Sequence, residues 1–178
     1  MILMMGIAGS GKGTQSKLLS ENNGFELLTM GDVLRQNATD AQRQKMEAGI
    51  LLGDDEIIEV VDKALSKLGD SSEVILDGYP RTLPQAEWLI KQIKNNRFKI
   101  KAAIHLTASK EAVRERLIDR ARTDDVDGAI EKRFAEYEKS TSPIIDWLRQ
   151  QNVTVFDING ERPVEIVHQD ILSRLNAA

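Results

Sequence analysis

The chain has 178 residues, 24 Lys and Arg against 28 Asp and Glu for a net charge of −4, 41% apolar and 29% charged side chains, 12 Gly, 4 Pro and no Cys. That composition fits one domain and excludes collagen-like, low-complexity and disordered classes, and with no thiol there is neither a thiolate zinc site nor a cysteine nucleophile. A mildly acidic chain gains nothing from counterion release on nucleic acid, so a bound phosphate must meet a local cluster of cations, and the expected partner is small.

The first element is the apolar run Ile2 to Met5, read as a buried strand. No Lys or Arg precedes Lys12, and Met1 to Gly9 is far too short to span a bilayer, so neither signal peptide nor anchor is expected and a cytoplasmic location is. Directly after the strand comes Gly6-Ile7-Ala8-Gly9-Ser10-Gly11-Lys12-Gly13-Thr14, and directly after that a helical pattern from Lys12 to Asn22, closed by Gly24. Strand, glycine loop, Lys and helix in this order are the context of a phosphate-binding P-loop. Glycines let the backbone N–H groups approach an anion, the helix N-terminus favours negative charge, and Lys12 adds a mobile cation. Gly13 separates Lys12 from the hydroxyl of Thr14, unlike the GTPase loop, where Ser or Thr follows Lys directly.

Phe25 to Thr29 reads as a second strand. Gly31 to Leu68 breaks the alternation with helical segments back to back, an inserted helical subdomain. Glu73 to Leu76 is the third strand, followed by Asp77-Gly78-Tyr79-Pro80-Arg81-Thr82-Leu83-Pro84-Gln85. Asp77 lies where a parallel sheet presents ligand-binding groups, and a carboxylate there suits Mg²⁺ directly or through water. Arg81 offers a planar fork for phosphate oxygens, and Gln85 a donor and an acceptor for a base edge.

Helical spacing then covers Pro84 to Asn95, Ser109 to Arg122, Asp127 to Gln150 and Pro163 to Asn176, with strands at Ala102 to Leu106 and Val153 to Ile158. The βαβα rhythm predicts a three-layer α/β fold, a five-stranded parallel sheet with helices on both faces. Five of the twelve arginines fall between Arg114 and Arg133, and Arg116 and Arg120, four apart, share one helix face. Phosphoryl transfer needs such charge neutralisation and in-line positioning rather than a covalent nucleophile.

Over almost its whole length the sequence resembles the adenylate kinases of the nucleoside monophosphate kinase family. The P-loop, Asp77 to Gln85, Gly31-Asp32-Val33-Leu34-Arg35, Ala48-Gly49-Ile50-Leu51-Leu52, the arginine series and Asn159-Gly160-Glu161-Arg162-Pro163-Val164 all fall in the family's order. The resemblance implies strand order 2-3-1-4-5 and a core of about 1–29 and 59–178 around a monophosphate-binding insertion at about 30–58. It implies reversible transfer from ATP to AMP with Mg²⁺ and without zinc. Lys12, Arg81, Arg120, Arg122 and Arg133 would surround the transferred group. ATP would meet Gly9, Ser10, Gly11, Lys12, Gly13, Thr14, Arg116, Arg120 and Arg162, the last through backbone beside Val164. AMP would meet Met30, Arg35, Ile50, Leu51, Leu52, Gly78, Tyr79, Pro80, Arg81, Gln85, Arg122 and Arg133. Asp32 and Asp77 would order the water shell of Mg²⁺.

Two departures stand out. Only Ala121 separates Arg120 from Arg122, where the family carries its mobile lid, so the lid is expected to be reduced to a turn at about 120–126. Met30 replaces the usual Thr, a hydroxyl that uridylate and cytidylate kinases also lack. Gln85, the adenine reader by resemblance, points to AMP, with UMP or CMP as the alternative acceptor and a non-catalytic nucleotide-binding module as the alternative of another class. The expected partners are the nucleotides ATP, AMP and ADP, with no nucleic acid and no membrane; the pattern leaves the oligomeric state open and admits a monomer.

Overall fold

The apolar runs form five parallel strands, β1 (Ile2–Met5), β2 (Glu26–Thr29), β3 (Val74–Asp77), β4 (Ala102–Thr107) and β5 (Val155–Asn159), in the order β2-β3-β1-β4-β5. The structure, a computed structural model, describes residues 1–47, 52–68, 73–120 and 127–177, with the side chains of residues 47, 120 and 127–129 left aside. The turn expected at about 120–126, Ile50, Leu51, Arg122 and the side chain of Arg120 lie outside the described residues.

Every residue of β1 is buried, because the strand is central and both faces are covered. Leu3 pairs with Leu76 on one side and with Ala103 on the other. The two-residue period of the strand then sends Leu3 and Met5 into a core with Val60, Leu89 and Leu148, and Ile2 and Met4 into a second core with Leu19, Ile171 and Leu175. The first core lies under α4 (Asp54–Leu65), α5 (Leu83–Lys94) and α8 (Ser142–Gln150), the second under α1 (Lys12–Asn23) and α9 (Val164–Ala177). Truncating a side chain such as Leu3 to Ala would cost about 2–5 kcal/mol.

From β1 the chain winds to one flank through β2 and β3, then crosses to the other flank at β4. The carboxyl end of β1 is therefore the switch point at which such sheets bind ligands. A third cluster, Ile7 with Val113, Leu117, Ile130 and Phe134, packs α6 (Lys110–Arg120) and α7 (Asp127–Glu136) against the loop that leaves β1.

The back-to-back helices are α2 (Met30–Asn37), α3 (Asp40–Glu47) and α4. The expected edge of the insertion at residue 58 falls inside α4, whose Val60, Val61, Ala64 and Leu65 join the main core. The single helix expected over Asp127 to Gln150 is instead α7, a π-helical turn at Tyr137–Thr141, and α8. The cause is Pro143: it has no N–H, and its ring crowds the carbonyl four residues back. The chain widens there, and the Ser142 N–H donates to Tyr137 O, five residues back.

Candidate active site

The loop after β1 holds its shape through backbone that only glycine tolerates. Gly6 has φ of +131°, and a Cβ there would lie 2.4 Å from the carbonyl oxygen of Leu106 in β4. Gly11, at φ +103°, is the N-cap of α1, so the amides of the first turn face the carboxyl edge of the sheet. Lys12 Nζ spans the loop, donating to Gly6 O at 2.6 Å and Ile7 O at 2.8 Å. Helix α6 closes against it: Arg116 Nη1 lies 3.5 Å from Gly9 O. Ser10 is buried with no hydrogen-bond partner for its hydroxyl among the described residues. Thr14 stands exposed in the first turn of α1.

Asp77 ends β3 beside this loop, in register with Met4 of β1 and Thr29 of β2. Its Oδ2 lies 3.7 Å from the point a Cβ on Gly13 would occupy. Burial raises the carboxyl above its ordinary range, while Lys12, Arg81 and the Ser16 hydroxyl pull it back. An anionic oxygen at the mouth of a phosphate loop, partly desolvated and flanked by cations, fits a hydrated Mg²⁺ carried by a nucleotide. Among the described residues no group of three or more His, Cys, Asp or Glu could hold a metal alone, so phosphate oxygens and water would supply the other ligands.

Gly78, at φ +83°, and the cis Tyr79–Pro80 bond turn the chain from β3 towards α5. Arg81 follows, its Nε donating to Gly78 O at 2.9 Å. Desolvation lowers the Arg81 guanidinium from its ordinary range, Asp77 opposes that, and Arg133 on α7 adds to it. Arg133 therefore lies within electrostatic range of Arg81. The Thr141 hydroxyl donates to Arg81 O at 3.0 Å and ties the π-helical turn to this corner. Tyr79 is 1% exposed, packs edge-on to Trp88 and donates to Gln85 O at 3.2 Å. Gln85, 5% exposed, accepts the Arg81 backbone N–H at 2.9 Å through Oε1 and donates through Nε2 to Asp54 Oδ1 at 2.7 Å.

On the insertion, Thr29 caps α2 by accepting the Asp32 N–H at 3.2 Å, and its hydroxyl donates to Asp32 Oδ2 at 2.6 Å. That bond first, and the Arg35 guanidinium at 2.6 Å second, hold the Asp32 carboxyl below its ordinary range. Met30 is buried at the start of α2 and Leu52 half-buried before α4. Arg162 turns outward from the loop, with Nη2 on Asp170 at 2.7 Å and Nε on Asn159 O at 3.1 Å, so only its backbone is left to border a base.

Lys12, Asp77, Arg81, Arg116 and Arg133 thus converge on one edge, while Arg35 and Arg162 each pair with a neighbouring carboxylate. Two contributors, Gln15 and Asp54, escaped the sequence reading, and for a third, Gly160, it gave the segment but not the close packing. Gly160, after β5, lies so close to the loop that a Cβ would sit 2.4 Å from Ser10 O. Gln15 on α1 donates to Val164 O at 2.9 Å, fixing the segment that would face the donor base. Asp54 holds Gln85. Only the segment Asn159 to Val164, placed by resemblance, pointed towards any of them.

Comparison with known proteins agrees with this geometry. The family model for adenylate kinase matches residues 4–153. Adenylate kinase of Prochlorococcus marinus is 35% identical over 180 residues, covering 98% of this chain and 96% of its own. The Porphyromonas gingivalis enzyme is 34% identical over 163 residues, covering 85% and 84%, and that of Corynebacterium urealyticum 30% over 181, covering 98% of each. With its parallel sheet in the order β2-β3-β1-β4-β5, its glycine loop at the switch point and these relatives along nearly its full length, the chain belongs to the adenylate kinase family and is a nucleoside monophosphate kinase.

Proposed function

We propose that the enzyme transfers the γ-phosphoryl group of Mg-bound ATP to an oxygen of the AMP phosphate, reversibly, giving two ADP. The observation that carries this reading is the edge where Asp77 lies within electrostatic reach of Lys12 and Arg81, and Arg81 within reach of Arg133. A protein that only bound nucleotide would need no cations on both sides of the transfer point. Mg²⁺ bound to the donor phosphates supplies charge neutralisation, and Asp77 is placed to orient its water shell. The amides of Gly9 to Thr14 cradle the donor phosphates, and Lys12 leaves the loop carbonyls to follow the β- and γ-oxygens. Arg81 and Arg133 hold the acceptor phosphate in line, with Arg120 and Arg122 completing the cage and Arg35 swinging from Asp32 to the same phosphate. Gln85 reads the acceptor base beside Met30, and backbone at Ile50, Leu51 and Leu52 completes its contacts. Arg116, already over the loop, flanks the donor base.

The test is a coupled assay with ATP and, in turn, AMP, UMP, CMP and GMP. AMP should be the best acceptor, giving two ADP per turnover. Faster use of UMP or CMP would replace the acceptor assignment, and no transfer to any monophosphate would reject the reading. In the same assay Lys12→Met should lower kcat by about 10²–10³, the loss expected when a donor aimed at developing phosphate charge is removed.

A further inference from the structure

We propose that Asp54 locks the amide of Gln85 in one orientation, making the acceptor site select a base edge with an amino donor beside a ring-nitrogen acceptor over one bearing an oxo group. The inference rests on Gln85 reading the acceptor base and goes beyond it, to what decides which edge Gln85 can read.

A glutamine amide has nearly symmetric ends, one donating and one accepting. Left free, it can turn over and serve either hydrogen-bond pattern. Adenine and cytosine present an amino group beside an unprotonated ring nitrogen; guanine, hypoxanthine and uracil present an oxo group beside a ring N–H. A freely turning amide meets both.

In this protein the amide has two neighbours with fixed roles. The backbone N–H of Arg81 can only donate, and it lies 2.9 Å from Oε1. The carboxylate of Asp54 can only accept, and its Oδ1 lies 2.7 Å from Nε2. Reversing the amide would set oxygen against carboxylate and N–H against N–H at the same time, in a residue only 5% exposed, where unpaired polar atoms are costly. The same Asp54 oxygen accepts the Thr82 hydroxyl at 2.7 Å, which holds the carboxylate in place from the other side. One N–H and one oxygen lone pair of Gln85 remain, in a fixed order. That order suits an amino edge and opposes an oxo edge in the same pose. Asp54 is thus a positioning residue that sets specificity without touching the base. It is also the first residue of α4, so the insertion fixes a side chain carried by α5.

AMP and IMP make the cleanest pair of acceptors, since they differ only in the amino or oxo group and the adjoining ring hydrogen. The unaltered enzyme should favour AMP over IMP in kcat/KM by at least about 100-fold. In Asp54→Ala that ratio should fall about tenfold, because only the Arg81 N–H then orients the amide. In Asp54→Asn, whose side chain can donate or accept at the same place, it should fall at least threefold. Thr82→Val, which loosens the carboxylate but leaves the Asp54–Gln85 bond, should lower the ratio less than Asp54→Ala does. The KM for ATP should stay within twofold throughout. A merely structural role for Asp54 would lower AMP and IMP use together and leave their ratio alone. An unchanged ratio in folded Asp54→Ala, or in Asp54→Asn should the alanine variant not fold, overturns the proposal. Failure of the unaltered enzyme to use AMP would instead overturn the acceptor assignment beneath it.

Discussion

Asp77 illustrates how a residue proposed to orient Mg²⁺ can oppose stability. Its carboxyl is raised above 3.8 in the folded chain, with burial the largest cause. The folded state then binds more protons than the unfolded chain between 3.8 and the raised value, so the residue's favourable contribution is present below 3.8 and is lost as the pH rises through the folded value. Asp77→Asn should therefore melt at a higher temperature than the unaltered protein at pH 7, with the difference shrinking towards acid, while its phosphoryl transfer collapses. Melting curves from pH 3 to pH 8 decide this, and a lower Tm for the variant at neutral pH would contradict it. Gly160 makes the complementary case, a residue with no functional atoms whose smallness matters. In Gly160→Ala the new methyl group must displace the Ser10 carbonyl, 2.4 Å from its ideal position, and with it the phosphate loop. The KM for ATP should rise at least about tenfold, a loss of about 1.4 kcal/mol in binding, while that for AMP changes little. Equal increases in both would place the damage elsewhere.

Among the elements, what could be read in the sequence was what is contiguous in it. The runs at Ile2 to Met5 and Ala102 to Leu106 became strands because a centrally buried strand needs apolar side chains on both faces. The glycine loop and the segment from Asp77 to Gln85 were legible because each packs its chemistry into nine residues. The π-helical turn was not, although Pro143 inside a helical pattern was its signal. Nor were the contacts between Asp54 and Gln85, 31 residues apart, or between Gly160 and the loop at the opposite end of the chain. Periodicity reports which face of an element is buried, not which polar atom of a remote element meets it. Capping lies between these cases, since Thr29 and Asp32 are near neighbours whose bonds follow from the helix start. Thr29→Ala removes the acceptor for the Asp32 N–H and should destabilise the protein by about 1 kcal/mol. It also frees Asp32 to turn towards Arg35 alone, so the KM for AMP should rise more than that for ATP; equal KM values in variant and parent would separate this cap from the acceptor site.

At the scale of the molecule the unusual quantity is the length of one connection. Helix α6 ends at Arg120 and α7 begins at Asp127, so residues 121–126 alone join them. Six residues fully extended reach about 20 Å, and an excursion that must go out and return reaches half of that. By length alone such a connection is expected to be too short for a lid, which would close over an activated phosphoryl group, exclude water and complete its charge cage. On the proposed reading, α2 and α3 lie on the acceptor side, so they would not shield the donor phosphate while the acceptor site is empty. With ATP alone, the γ-phosphoryl group in this enzyme should remain open to water. We therefore expect ATP hydrolysis without an acceptor to run at least about tenfold faster, relative to transfer, than in a family member with a long lid. Saturation with the acceptor monophosphate should suppress it, because the acceptor oxygen takes the place of the attacking water. Phosphate release followed with and without AMP measures both effects. A rate no higher than that of the long-lid enzyme would mean that water is excluded by another part of the chain, or by a second copy of it.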